Sequence, residues 1–74
     1  MTFSTENIGE YTRKVRKELG VTQRDLALTA GRGLRFIIEL ENGKPTCQIG
    51  KVLQVLQVLA IQLTLSHDGL KDEK

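Results

Sequence analysis

The sequence predicts a small all-α domain of four to five helices, followed by one C-terminal β-strand. Three observations lead to this fold class. Apolar residues recur at steps of three and four along most of the chain, which is the period of one helix face. Glycine or Asn-Gly breaks divide these stretches into short segments. Only the segment IQLTLS, residues 61–66, alternates apolar with polar residues, which is the pattern of a half-buried strand.

Composition limits the function classes. The 74 residues make one domain, predicted over 1–66 with a polar tail over 67–74. One Cys and one His provide neither an internal disulfide nor a zinc site, so no metal or cofactor is expected. The chain shows no membrane span and no signal peptide, which predicts a cytoplasmic protein. It also offers no phosphate loop and no nucleophile with a base, so we expect neither enzymatic activity nor a small-molecule substrate.

The first two helices follow from apolar spacing and capping residues. One face of the first helix is predicted to consist of Ile8, Tyr11, Val15 and Leu19. Gly20 ends this helix, and RKVRK (13–17) is expected along its exposed side. Thr22 caps the second helix, which begins at Gln23 and ends at Gly31.

The third and fourth helices are predicted in the same way. The third begins near Gly33, turns Ile37 and Leu40 inward and ends at Asn42-Gly43. Thr46 is expected to cap the fourth, whose sequence is CQIGKVLQVLQVLA. Its inward residues are predicted to be Ile49, Val52, Leu53, Leu56 and Leu59. Val55 and Val58 widen this apolar stripe, which indicates a contact outside the monomer.

The terminal strand has no partner in its own chain. A lone strand leaves its backbone N–H and C=O groups unpaired, so we expect it to pair antiparallel with the same strand of a second copy. The alternative is a disordered or helix-extending tail. The predicted homodimer interface consists of Val55, Val58, Leu59, Ile61, Gln62, Leu63, Thr64 and Leu65.

The second and third helices have the spacing of a helix-turn-helix motif. Ala27 lies four residues after the start of the second helix, where a larger side chain would separate the two helices. Gly31 lies four residues further on, where the tight turn favours a positive φ. Ile37 follows at the position that fills the angle between the helices. The combination is a specific signal, although each residue alone is not.

The charge is unevenly distributed. The net charge is only +2, but residues 13–35 contain seven Lys or Arg residues against two acidic ones. Such a basic segment is typical of a phosphate-binding surface, and the alternative is a merely solvated helix face.

In LGVTQRDLALTAG and FIIELENGKP the chain resembles the Cro/repressor-like helix-turn-helix (XRE) family, which has the lambda-repressor-like fold. The longer stretch RFIIELENGKPTCQIGKVLQVLQVLAIQLTL is similar to the small HipB-type antitoxins. The resemblance implies a homodimer that binds a palindromic double-stranded operator and represses its own type II toxin-antitoxin operon. It also implies a HipA-family kinase toxin as partner.

The resemblance assigns roles to individual positions. Base contacts are expected from Leu34, Arg35, Ile38 and Glu39. Phosphate contacts are expected from Gln23, Arg24, Arg32, Gly33, Asn42, Lys44, Arg13, Arg16 and Lys17. The fork of Arg35 fits guanine O6 and N7, and Glu39 can orient Arg35 or accept from cytosine N4. Glu41 is also expected to face outward.

Two positions depart from the family pattern. Ile38 replaces a frequent small polar residue, which reduces the hydrogen bonding available to bases. Ala60 replaces a frequent glycine before the strand, which leaves the end of the fourth helix open because alanine fits a left-handed cap poorly.

Three further hypotheses compete with these assignments. The chain is alternatively a phage or restriction-control repressor without a toxin. It is also compatible with an interaction module that has lost DNA binding and uses Val55, Val58, Leu34 and Ile38 as an apolar contact surface. Cys47, expected in the first turn of the fourth helix, is either a redox sensor or a small packing residue.

Overall fold

A computed structural model of the chain describes residues 4–64. This part contains four helices: α1 (Thr5–Glu18), α2 (Gln23–Ala30), α3 (Leu34–Glu41) and α4 (Ile49–Val58). The all-α fold class is therefore confirmed, with α2 and α3 forming the helix-turn-helix.

Side-chain oxygens cap the first two helices. Ser4 Oγ accepts a hydrogen bond from the backbone N–H of Asn7 at 3.0 Å. Thr22 Oγ1 accepts one from Asp25 N–H, also at 3.0 Å. Each bond satisfies a donor that has no partner within the helix. The predicted cap of α2 and its start at Gln23 are confirmed.

All four helices end in the same arrangement of backbone hydrogen bonds. After α4, Ala60 N–H donates to Gln57 O at 3.0 Å and Ile61 N–H donates to Leu56 O at 2.8 Å. This pair of bonds is the Schellman motif, in which one residue takes a left-handed conformation. The left-handed residues after the four helices are Gly20 (φ 72°), Gly31 (φ 67°), Gly43 (φ 80°) and Ala60 (φ 59°).

Ala60 is the one non-glycine residue with a positive φ within residues 4–64. Its methyl group crowds the backbone in this conformation, which costs roughly 1–2 kcal/mol. We expect Ala60→Gly to raise the free energy of unfolding by about 1 kcal/mol, because the relief of strain exceeds the added entropy of the unfolded chain. Urea denaturation followed by circular dichroism measures the change.

Ala30→Gly is the matched control for this substitution. Ala30 is the last helical residue of α2 and has no positive φ, so a glycine there relieves no strain, adds freedom to the unfolded chain and removes a methyl group that packs on the core. It should lower the free energy of unfolding by about 0.5–1 kcal/mol. If both glycine variants were destabilised, the strain assigned to Ala60 would be refuted.

The core fills the space where α2, α3 and α4 meet. Its buried apolar residues are Leu26, Ala27, Ile37, Leu40, Val52, Val55, Leu56 and Leu59. Ala27 and Ile37 thus occupy the inward positions that the motif spacing predicts. Half-buried Ile8, Val15 and Phe36 pack against this cluster.

Several predictions about α4 were wrong. The helix begins at Ile49 with Gln48 as its N-cap, so Thr46 does not cap it and Cys47 lies before its first turn. Residues 45–47 instead form turns and a bend, and Cys47 N–H reaches Lys44 O at 3.5 Å. Ile49, predicted to be inward, is 64% exposed because it is the first helical residue.

The faces of α4 and α1 also differ from the expectation. Leu53 was predicted to be inward but is 42% exposed. Val55 and Leu59 were predicted at the dimer interface, but both are buried in the core of the single chain. Tyr11 and Leu19 of α1 are exposed, because the buried side of that helix consists of Gly9, Thr12 and Arg16.

α1 crosses closely over the C-terminal end of α3. A Cβ atom at Gly9 would lie 2.4 Å from Leu40 O and 2.8 Å from Glu41 O. Next to Gly9, the buried hydroxyl of Thr12 donates to Ile8 O at 2.7 Å within its own helix. The absence of a side chain at Gly9 therefore allows α1 to contact the backbone of α3.

The segment after α4 keeps the predicted alternation. Ile61 and Leu63 are half-buried against the core, whereas Gln62 and Thr64 are exposed. Residues 61–64 are in neither a helix nor a strand of the single chain. The rest of the predicted strand, including Leu65, and the predicted tail over 67–74 lie outside the described residues. Pairing with a second copy stays a prediction.

Candidate nucleic-acid interface

The outer side of α3 presents the predicted base-contacting residues. Arg35 is the most open of them, with 91% of its side chain exposed. Ile38 is exposed, whereas Leu34 and Glu39 are half-buried. Ile37 points to the opposite side, where it is fully buried. The helix thus separates a core side from a side that can face a ligand, as the sequence predicts.

Glu39 pairs with two cations on this outer side. Its Oε2 atom is 3.4 Å from Arg35 Nε and 3.2 Å from Lys44 Nζ. The Arg35 pair is the predicted i,i+4 contact along α3. The Lys44 pair joins the end of α3 to the turn that follows it, so one carboxylate holds two cations of the expected contact set.

A shallow groove lies between the end of α1 and the start of α2. It measures about 420 Å³, and its lining includes Arg13, Lys17, Thr22 and Gln23. The backbone N–H groups at the start of α2 precede the first intrahelical bond, which Leu26 N–H donates to Thr22 O at 3.0 Å. Thr22 Oγ1 accepts the N–H of Asp25, which leaves the N–H groups of Gln23 and Arg24 as donors. These donors and the positive end of the helix dipole favour an anion. The groove therefore combines the chemistry needed for a phosphate group.

Arg16 also lines this groove, but its side chain is buried, so its predicted place on the exposed side of α1 was wrong. Its Nε and Nη2 atoms donate to Glu41 Oε2 and Oε1 at 2.6 and 3.1 Å. Its Nη1 atom donates to Val21 O at 2.8 Å. The side chains of Arg16 and Glu41 are only 8% and 1% exposed. Arg16 is thereby removed from the set of free phosphate contacts, and the outward placement of Glu41 was also wrong.

Glu41 also holds the side chain of Gln23. Gln23 Nε2 donates to Glu41 Oε1 at 3.0 Å. An amide nitrogen carries two hydrogens, so one remains for a phosphate while the bond to Glu41 restricts the side chain. Through Glu41, the end of α3 is tied to both α1 and the start of α2.

The remaining predicted contacts lie at different depths. Arg24, Gly33 and Asn42 are exposed. Arg32 is half-buried, and its Nη2 atom donates to Gln54 Oε1 on α4. Its Nε atom is buried with no hydrogen-bond partner within residues 4–64. Arg32 therefore contacts α4, whereas the groove cations Arg13 and Lys17 are exposed to solvent.

Cys47 lies between α3 and α4, three residues after Lys44. Burial raises the pKa of its thiol, the nearby Glu39 carboxylate raises it further, and Lys44 lowers it. The thiolate fraction at neutral pH is therefore smaller than for an ordinary cysteine, whereas reactive cysteines have lowered pKa values. This favours the packing role over the redox hypothesis.

The buried polar network of Arg16, Gln23 and Glu41 was not predicted from the sequence. Glu41 lies four residues after the inward Ile37, so its place on the inner side of α3 was readable from the helix period. Arg16 likewise follows Gly9 and Thr12 at steps of three and four. A period search restricted to apolar residues does not detect such a face.

Residues 4–64 contain neither a membrane-spanning helix nor a metal-binding cluster. No helix there has the length and apolar character required to cross a bilayer. No three His, Cys, Asp or Glu side chains of that range are grouped so as to hold a metal ion.

Comparisons with known proteins give one sequence relative and several structural ones. No protein-family model matches the chain. Over 63 residues it is 56% identical to the uncharacterized HTH-type transcriptional regulator y4mF of Sinorhizobium fredii (strain NBRC 101917 / NGR234). The match covers 85% of this chain and 83% of that protein.

The fold is similar to solved structures of HipB complexes. One is a HipB-O4 20mer complex and another is a HipA-HipB-O2-O3 complex. For each, the TM-score is 0.81, the sequence identity is 25%, and the match covers 90% of this chain and 94% of the other.

Proposed function

We propose that this chain, which belongs to the HTH-type transcriptional regulators, is a sequence-specific, dimeric repressor that binds an operator. We also propose that it is the antitoxin of a type II toxin-antitoxin operon. The observation that carries DNA recognition is the outer side of α3, where Arg35 stands almost fully exposed. In this proposal α3 lies in the major groove, Arg35 contacts a guanine, and α2 binds the phosphate backbone through its N-terminus.

The charges of the described residues support phosphate binding beside α3. The cations Arg13, Lys17 and Arg24 are exposed, and the side-chain amide of Gln23 lies at the start of α2. Cations that contact phosphates release counterions, so binding should weaken steeply with salt. Contacts of this kind fix the position of the protein, whereas Arg35 discriminates between sequences.

A second copy is the proposed partner of the C-terminal surface. A groove of about 380 Å³ is lined there by Leu53, Leu56, Gln57, Ile61, Gln62, Leu63 and Thr64. Val58, the last residue of α4, is exposed beside this segment. Pairing of the residues after Ala60 across a two-fold axis would cover this groove and place two α3 helices on successive major grooves. Footprinting should then show two half-sites about 34 Å apart, which is one helical turn.

The antitoxin part of the proposal is supported by the similarity to HipB, which one solved structure contains together with HipA. The proposed partner of this chain is a HipA-like kinase encoded beside it. Co-expression with the adjacent gene product, co-purification and mass determination of the complex test this. A co-purifying HipA-like protein supports the antitoxin role, whereas a regulator that represses without one is the stand-alone alternative.

Arg35→Ala should reduce affinity for the DNA upstream of the chain's own gene. A bidentate arginine-guanine contact is worth about 1–3 kcal/mol, which corresponds to roughly 5- to 150-fold in affinity. Lys14→Ala is the matched control, because Lys14 is an exposed cation of α1 outside the expected contact set. Electrophoretic mobility shifts at fixed salt measure both variants.

Two outcomes would count against these assignments. Equal losses in the two variants would show that Arg35 acts only through its charge. Absence of wild-type binding at low salt would refute DNA binding and favour the interaction-module alternative, with exposed Ile38 in its apolar contact surface.

A further inference from the structure

Glu39 lies between two cations of the proposed DNA-facing surface. One carboxylate oxygen, Oε2, is within 3.4 Å of Arg35 Nε and 3.2 Å of Lys44 Nζ. The side chains of Arg35 and Lys44 are 91% and 48% exposed, whereas Glu39 is 30% exposed. The acid therefore engages both cations where a nucleic acid would approach.

Folding stability does not explain this arrangement. Exposed ion pairs contribute little to stability, since water and salt screen them. Within residues 4–64, Arg35 and Lys44 form ion pairs with Glu39 alone. Without this one acid, both would be free for phosphate oxygens. The consequence of Glu39 is thus best sought in binding.

A carboxylate at this place should penalise contact with arbitrary DNA. It repels phosphates, and a cation paired with it adds less to the counterion release that drives non-specific binding. A guanine offers Arg35 two acceptors, O6 and N7, and a cytosine N4 offers Glu39 a donor in place of the cation. The correct bases therefore compensate for breaking the pairs, while phosphates alone do not.

We infer that Glu39 is a specificity-determining residue that withholds Arg35 and Lys44 from non-operator DNA and releases them at the operator. Discrimination is a difference of affinities, so it increases when wrong sites are made weaker. This inference rests on the proposed function and extends it, because it assigns Glu39 an action against wrong sequences.

The test compares wild type with Glu39→Gln, which removes the charge and keeps the shape. Two duplexes serve as probes: the region upstream of the chain's own gene, and a shuffled sequence of equal length and composition. Glu39→Gln should bind the shuffled duplex about tenfold more tightly, and its salt slope should steepen by about one to two, because two cations are released. Its preference for the upstream duplex should fall accordingly.

Two further variants locate the effect. Adding Lys44→Gln to Glu39→Gln should reduce the salt slope by about one again, since one of the released cations is gone. Glu10→Gln removes the same charge from an exposed position of α1 that forms no ion pair within residues 4–64. It should leave the preference for the upstream duplex as in wild type.

The outcomes separate this inference from the proposed function. A wild type without preference for the upstream duplex would refute the proposed function itself. If wild type discriminates but Glu39→Gln keeps the same preference and slope, the role of Glu39 is refuted and the proposed function stands. If Glu39→Gln loses only operator affinity, with unchanged binding to shuffled DNA, Glu39 is a base contact and not a restraint.

Discussion

Glu41→Ala should destabilise the fold by about 3–5 kcal/mol, because it leaves the buried Arg16 guanidinium without its counter-charge. The same change removes the acceptor of the Gln23 amide. Small domains are stable by only about 5–15 kcal/mol, so the loss is a large part of the total. Thermal unfolding followed by circular dichroism should show a melting temperature lower by about 15–30 °C.

Glu39→Ala is the control for this variant, since it removes the same side chain from the same helix. Its cationic partners Arg35 and Lys44 are exposed, so water and salt screen both ion pairs, and their loss should cost less than about 1 kcal/mol. Equal effects of the two variants would contradict the structural role of the buried pair.

A double variant separates stability from positioning. Replacing both partners with apolar residues, as in Arg16→Met with Glu41→Leu, should recover most of the lost stability, because no unpaired charge remains buried. Gln23 would still lack the bond that restricts its side chain at the start of α2. We therefore expect a folded protein with weaker operator binding. Wild-type affinity in this variant would show that Glu41 acts on stability alone.

The helices were predictable because their signals are local. Thr22 caps α2, and Gly20, Gly31 and Gly43 end three helices in the left-handed conformation that the sequence indicates. The start of α4 was not predictable in this way. Thr46 has the chemistry of a cap, but the turns over 45–47 delay the helix to Ile49, where no side chain makes a capping bond.

The candidate site was predictable only where it depends on the helix period. Arg35 lies outward and Ile37 inward, as the spacing requires. The buried position of Arg16 depends on Glu41, which is 25 residues away in sequence. A charged residue is usually exposed, so only the tertiary pairing makes burial favourable. The burial of Val55 likewise depends on which helices pack against α4, and the local sequence pattern does not determine that packing.

Gly9→Ala should be the most damaging conservative change in α1. The added Cβ would lie 2.4 Å from Leu40 O and 2.8 Å from Glu41 O, and these backbone atoms belong to the end of α3. α1 must then shift away from α3, and overpacking of this kind costs about 1–3 kcal/mol or more. Since Arg16 and Glu41 face each other across the same contact, their ion pair would be stretched as well.

Gly50→Ala provides the opposite result for the same substitution. Gly50 lies in the first turn of α4, and a Cβ atom there meets nothing within 4 Å. Alanine should therefore raise the free energy of unfolding by about 0.5–1 kcal/mol through helix propensity alone. In urea titrations the two variants should move in opposite directions from wild type. If Gly9→Ala were also more stable than wild type, α1 would not contact α3 as closely as the structure shows.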